Sequence, residues 1–201
     1  MTELSASSAF GNTEHGPIGD PSLVSIELVP KRPALSLRID RITAEVAELA
    51  AAISGVPLPL SANTSTGDSR RWLWLGPAEW LLLDDHGLDG ISHRLSTALE
   101  GAPAVVSQLD SSFAPIILRG PAARDVLAKG CPLDLHPRRF TVGTCVRTLV
   151  EQVRVILLLR RDDPIYELYA DVSVARHFAA WLFDAAGEHL IPPNLHRDRS
   201  R

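Results

Sequence analysis

Apolar positions recur every second residue in some segments and every three to four in others, with stretches rich in Gly, Pro and Ser between them. Ser22–Val29 and Ala34–Ile39 predict short strands on either side of a Pro-Lys-Arg-Pro turn. Thr43 sits where an N-cap belongs, ahead of a helix with Val46, Leu49, Ala50 and Ile53 on one face, and Gly55 closes it. "RWLWL", Gly76-Pro77 and "EWLLLDD" predict two strands joined by a short turn. Both faces of that pair are apolar, which places it in the middle of a sheet. Ile91–Leu99 predicts a second helix, and "PAVVSQLD" and "FAPIILR" two further strands. Pro121 at the first helical position opens a helix running to Lys129, with Gly130 at C′. Three strands follow at Thr144–Val150, Arg154–Arg160 and Ile165–Ala170. The last helix, capped by Ser173, carries Val174, Phe178, Trp181, Leu182 and Ala185 on one stripe and ends at Gly187.

Polar segments frame these elements. Residues 1–22 lack periodicity and are expected to form a disordered arm, and 191–201 a charged tail, leaving 23–190 as one α+β domain. Ser61–Ser69 ("SANTSTGDS") reads as a flexible loop inside it.

One hexapeptide recurs. "GVPLPL" at Gly55–Leu60 and "GCPLDL" at Gly130–Leu135 share G-x-P-L-x-L, and each follows a short amphipathic helix. "WLLLDD" at Trp80–Asp85 and "YELYAD" at Tyr166–Asp171 match in type, and glycines end the helices after both. The expectation is an internally duplicated α+β domain of β-β-α-β-β-β-α-type halves, with Leu58 equivalent to Leu133. Cys131 then takes the place of Val56, a packing position. A reactive thiol needs a base or cation beside it, and Lys129 and His136 are the neighbours in sequence that would supply one.

Composition narrows the function. The chain has 201 residues, 45% hydrophobic and 22% charged, with a net charge of -4 and pI near 6.0, against a general nucleic-acid or anionic-membrane surface. Its apolar runs are too short for a membrane helix, and the N-terminal segment has neither the basic nor the apolar region of a secretory signal. Two cysteines, Cys131 and Cys145, without metal-ligand spacing, favour a cytoplasmic protein with reduced thiols. Phosphate loops, dinucleotide fingerprints, nucleophile elbows and H-E-x-x-H are all missing. The seven histidines (His15, His86, His93, His136, His177, His189 and His196) are scattered. Asp84–Asp89 ("DDHGLD") is a conceivable cation loop, read more simply as the solvated start of a helix with Asp at the cap. Arg160–Asp163 reads as a charged surface turn. Trp72, Trp74 and Trp80 read as core or subunit-interface anchors, with a stacking platform for a pteridine or flavin ring as the alternative. "HRDRSR" is a solvated tail or docks on an acidic groove.

Three segments, "LWLGPAEWLLL" (Leu73–Leu83), "LRGPAARDVLAKGCPLDLHPRRF" (Leu118–Phe140) and "YELYADVSVARHFAAWLFDAA" (Tyr166–Ala186), resemble the small gamma subunit of heterotetrameric sarcosine oxidase. The resemblance spans roughly residues 30 to 187. That family is similar in fold to the folate-binding domain of glycine-cleavage aminomethyltransferases, whose halves are duplicated with swapped first strands. The resemblance implies alpha, beta and delta partner subunits and an oxidoreductase complex acting on CH-NH groups. That complex converts sarcosine to glycine with hydrogen peroxide and passes the methyl carbon to tetrahydrofolate. FAD, FMN, NAD, tetrahydrofolate and zinc are implied on the partners, and no catalytic, cofactor-binding or metal-binding residue on this chain. Related N-methylglutamate dehydrogenase-type complexes use a similar subunit, and a stand-alone folate-dependent or folate-binding protein is the rival of another class. The chain departs from the family pattern at Phe113–Leu118, where an Arg-Thr-Ala-Leu-Arg-Leu type strand loses both arginines and gains Pro115. Because proline cannot donate to a central ladder, this strand is expected at an edge or bulged.

Overall fold

The computed structural model describes residues 16–88, 90–109 and 112–190. The strands are β1 (Ile18–Asp20), β2 (Val24–Leu28), β3 (Ala34–Ile39), β4 (Ser65–Gly67), β5 (Arg70–Gly76), β6 (Glu79–Asp84), β7 (Ala104–Gln108), β8 (Phe113–Arg119), β9 (Cys145–Val150), β10 (Val153–Arg161) and β11 (Ile165–Asp171). The helices are α1 (Ala44–Ser54), α2 (Ile91–Ala98), α3 (Ala123–Ala128), α4 (Ala175–Ala185) and the single turn α5 (Gly187–Leu190).

Period-two alternation sorts each strand's side chains to two faces, and both faces of both sheets are covered. One sheet, ordered β4-β5-β6-β3-β7, packs Leu35, Leu37, Trp72, Trp80 and Leu82 against α1 and α2. The other, ordered β1-β2-β8-β11-β10-β9, packs Ile116, Leu118, Leu157, Tyr166 and Leu168 against α3 and α4. Their inner faces meet in a third cluster of Leu73, Leu81, Leu83, Cys145, Leu158 and Tyr169. The result is four layers, helices–sheet–sheet–helices.

The strand orders match when β7-β3-β6-β5-β4 is set beside β2-β8-β11-β10-β9. Both central hairpins slip register at the same place, between Trp74 and Gly76 and between Leu159 and Arg161. The sheets also exchange two equivalent hydrogen bonds: Ser65 N–H donates to the Gly143 carbonyl at 2.8 Å, and Cys145 N–H to the Asn63 carbonyl at 3.0 Å. Asn63 and Gly143 both have left-handed φ, 58° and 83°. The last strand of the first sheet, β7, has its counterpart in β2, which precedes that sheet in the chain and completes the second one.

Several expectations are not met. Ile18–Asp20 pairs with β2 although it lies in the stretch read as an arm, because it supplies the second sheet with an edge strand. Residues 1–15 and 191–201 lie outside the described residues. Ser65–Gly67, read as loop, is a strand on β5. Helix α3 starts at Ala123, two residues past Pro121. The N-cap of α4 is Val174, since Ser173 spends its N–H and hydroxyl on Asp171 Oδ1, 2.8 and 2.6 Å away. The helix read as ending at Gly187 does stop there, with Ala186 as its C-cap, but Gly187 also opens the further turn α5. Thr43 caps α1 as expected, and Gly55 ends it in the left-handed conformation.

The Pro115 strand is also central. β8 pairs with β2 on one side and β11 on the other. Its ladder to β2 ends at Leu28↔Ile116, one residue short of the proline, and Val29 N–H donates to the Pro115 carbonyl at 3.1 Å. The donor that proline lacks therefore points to where β2 runs out, and no interior bond is lost.

Candidate functional site

The "GCPLDL" cysteine lies in the core. Cys131 is buried in the same cluster as Tyr166, Val126 and Leu127. Lys129 turns away to the Ala185 carbonyl and to Glu188 at 2.9 Å, and the His136 ring accepts the Arg138 N–H at 3.2 Å, so both neighbours it might have used are engaged elsewhere. Gly130 is glycine for space, since a Cβ there would lie 2.6 Å from the Trp181 ring. Cys145 donates to the Trp74 carbonyl at 3.3 Å, and burial pushes its thiol up to about 12. Both cysteines are packing residues, and Cys131→Ala should lower stability by about 1 kcal/mol in a denaturant titration without changing the m-value.

The repeated hexapeptide keeps its sequence but not its packing. Leu58 is 6% exposed and its sequence match Leu133 36%, whereas Leu60 is 60% exposed and Leu135 6%. The inward leucine has moved two places along the motif, so the expected equivalence of Leu58 and Leu133 fails as a packing equivalence.

The acidic loop is not a solvated helix start. Asp84 is buried, bonded to Arg70, and accepts the His86 N–H at 2.8 Å. Asp85 takes Arg32 at 2.7 Å and Arg71 at 3.0 Å, and α2 is capped by Gly90 without a side chain. Asp89 lies outside the described residues. These carboxylates hold guanidinium groups.

They belong to a buried ionic cluster that sequence reading missed. Arg71 of β5, 1% exposed, reaches across the sheet interface to Glu167 of β11, 4% exposed. Glu167 also accepts from Arg160 at 2.6 Å and from the Tyr169 hydroxyl, and Arg160 continues to Asp68. Burial alone would lower the Arg71 pKa; Tyr169, Glu167 and Asp85 outweigh it and hold the group charged. Burial and the Glu167 charge push the Tyr169 hydroxyl far up. The one signal available was charge on inward positions: Arg71 alternates in phase with Leu73, and Glu167 with Tyr169. Arg160, read as surface, is drawn into this cluster.

Of the tryptophans, Trp72 donates to Ser54 Oγ at 3.0 Å and Trp80 to the Pro59 carbonyl at 2.7 Å, both fully buried. Trp74 packs partly buried against the same core. They are core residues, and neither Trp72 nor Trp80 presents a ring face for stacking. His86, His93, His136 and His177 are exposed, and His15 and His196 lie outside the described residues, as does the "HRDRSR" tail.

The two ends of the sheet interface differ. The row Gly67–Arg71–Leu83–Ala34 across the first sheet corresponds to Arg147–Ile156–Tyr169–Pro115 across the second. Arg32 bonded to Asp85 likewise corresponds to Phe113 opposite Asp171. Where the first end is filled by arginines, the second is an open cleft of about 640 Å³ lined by Phe113, Arg147, Leu149, Arg154, Ile156 and Tyr169. Arg147 forms a two-pronged pair with Glu79 at 2.7 Å and holds that carboxylate below its usual range. Arg154 has no ion pair among the described residues. Asp171 is likewise held low, by the Ser173 hydroxyl and N–H.

Comparison with known proteins places this architecture. The sequence pattern described as the sarcosine oxidase, gamma subunit family matches residues 40–188. The sarcosine oxidase subunit gamma of an Arthrobacter species is 36% identical over 147 residues, 73% of this chain and 71% of the relative. That of Corynebacterium sp. strain U-96 is 36% identical over 140 residues, 69% of this chain and 67% of the relative. A chain of the solved heterotetrameric sarcosine oxidase from Corynebacterium sp. U-96, in complex with pyrrole 2-carboxylate, superimposes with a TM-score of 0.78 at 31% identity, covering 89% of this chain and 91% of that one. The glycine cleavage system aminomethyltransferase T of Bartonella henselae shares the fold, with a TM-score of 0.55 at 14% identity over 84% of this chain and 45% of that one.

Proposed function

The chain belongs to the sarcosine oxidase gamma subunit family, and on that premise we propose that it serves as the gamma subunit of a heterotetrameric sarcosine oxidase, acting with alpha, beta and delta subunits in the cytoplasm. The observation that carries this reading is the match to the solved heterotetrameric enzyme over nearly all of both chains. The complex would demethylate sarcosine to glycine, forming hydrogen peroxide and 5,10-methylenetetrahydrofolate, with flavins, NAD, folate and zinc on the partner subunits. The role of this chain is structural. Its buried acids are paired with arginines, its thiols lie in apolar cores, and no described helix is long and apolar enough to cross a membrane. The matching strand orders support reading the domain as two duplicated halves.

Co-expression with its partner subunits tests the proposal. The tagged chain should bring down large flavin-bearing chains with sarcosine turnover, while alone it is colourless and inactive. Tight tetrahydrofolate binding by the isolated chain in calorimetry, without co-purifying partners, would point to a free-standing folate protein and count against the proposal.

A further inference from the structure

We propose that the open cleft at the second end of the sheet interface receives an extended segment of a partner subunit carrying an apolar side chain and a carboxylate. This rests on the gamma-subunit reading, which requires partner surfaces, and goes beyond it in naming one.

The β9–β10 hairpin closes at Val150↔Val153, and hydrogen-bonded pairs alternate from there through Thr148↔Val155 and Val146↔Leu157. Cys145, Arg147 and Leu149 therefore turn their N–H and C=O groups outward. Cys145 donates outward to Asn63, leaving Arg147 and Leu149 as the open part of the edge. The side chains of these two residues line the cleft, and Leu149 is 47% exposed. A strand added along them gains main-chain hydrogen bonds and sets alternate side chains on the cleft face beside Arg147 and Leu149, at the margin of the floor that Ile156 and Tyr169 form.

Charge selects the chemistry. Asp171 accepts two bonds from Ser173 and feels the Arg154 charge without an ion-pair contact, so the Arg154 guanidinium is the group at the mouth left to bond an incoming acid. Arg154 has no ion pair among the described residues, and Arg147 adds a guanidinium shared with Glu79. The first end of the interface gives the contrast. There the same backbone positions are filled from within by Arg32 and Arg71, both bonded to Asp85.

The test uses the co-expressed complex and the variants Leu149→Asp and Arg154→Glu, with Val105→Asp on the open edge of β7, where Val105 is 59% exposed, as the control. Each cleft variant should reduce recovered complex about tenfold or more, while the free chain keeps its melting temperature and Val105→Asp assembles as wild type. Wild-type recovery with both cleft variants overturns the inference and leaves the gamma-subunit reading intact. Failure of the wild-type chain to assemble overturns both. Self-association of the isolated chain that Leu149→Asp abolishes would give the cleft to a second copy and overturn it as well.

Discussion

Glu167→Leu is expected to destabilise the folded chain by about 3–5 kcal/mol, enough to leave a domain of ordinary stability partly unfolded. The substitution removes the carboxylate on which Arg71, Arg160 and Tyr169 converge. Arg160 can turn to solvent beside Asp68, but Arg71 cannot. It is 1% exposed, its Nε already lacks a partner, and Asp85 would be its remaining carboxylate. A buried guanidinium left with one partly exposed carboxylate and loop carbonyls carries the cost. Urea titration with fluorescence detection checks the magnitude. The double variant Arg71→Met/Glu167→Leu should recover much of the loss, because the burial penalty then disappears with the charge. If the double variant is as unstable as the sum of the two singles, the cluster is not a coupled unit.

Trp80→Ala should cost a similar 3–5 kcal/mol for a different reason. Trp80 is 1% exposed in the core between the first sheet and α1 and α2, so truncation leaves a large void there. It also strips the Pro59 carbonyl of its donor, and Pro59 belongs to the repeated hexapeptide that crosses the end of that core. Trp80→Phe, which fills most of the space, should lose markedly less. Trp181→Ala, expected from its helical stripe to be as damaging, should cost less than Trp80→Ala, because Trp181 is only partly buried, stacked on Phe178 with centroids 6.1 Å apart. Equal losses for Trp80→Ala and Trp181→Ala would show that the first core is not packed as tightly as its burial implies.

Most of the fold was legible because it is built from local signals. Thr43 and Gly55 bracket α1, and alternation marks β5 and β6. What was not legible depends on partners distant in sequence. Pro115 looked like an edge residue because the reach of β2 cannot be read from β8 itself. Leu58 and Leu133 looked equivalent because a shared motif does not say which leucine faces inward. Ser61–Ser69 looked like a loop, yet β4 exists because β5 offers it a ladder and Gly143 a hydrogen bond. The ionic cluster was hidden for the same reason, since Arg71 and Glu167 are 96 residues apart and each alone reads as a surface charge. The cleft is hidden in the sequence because its lining comes from four strands spread over residues 113 to 171.

The displaced position of β2 bears on how the chain comes to be folded during synthesis. As the protein leaves the ribosome from its N-terminus, β3 to β7 can close the first sheet with α1 and α2 once residue 108 has emerged. β2 emerges earlier still, yet its partner β8 begins at Phe113 and the β11 strand beyond it ends at Asp171. It therefore waits, with Val24 and Ile26 exposed, while most of the chain is made. Such a long-range strand pairing is slow to form and aggregation-prone until it does. It also means that trimming the first 28 residues would leave the first sheet whole and cut the second back to β8-β11-β10-β9, with one side of β8 unpaired.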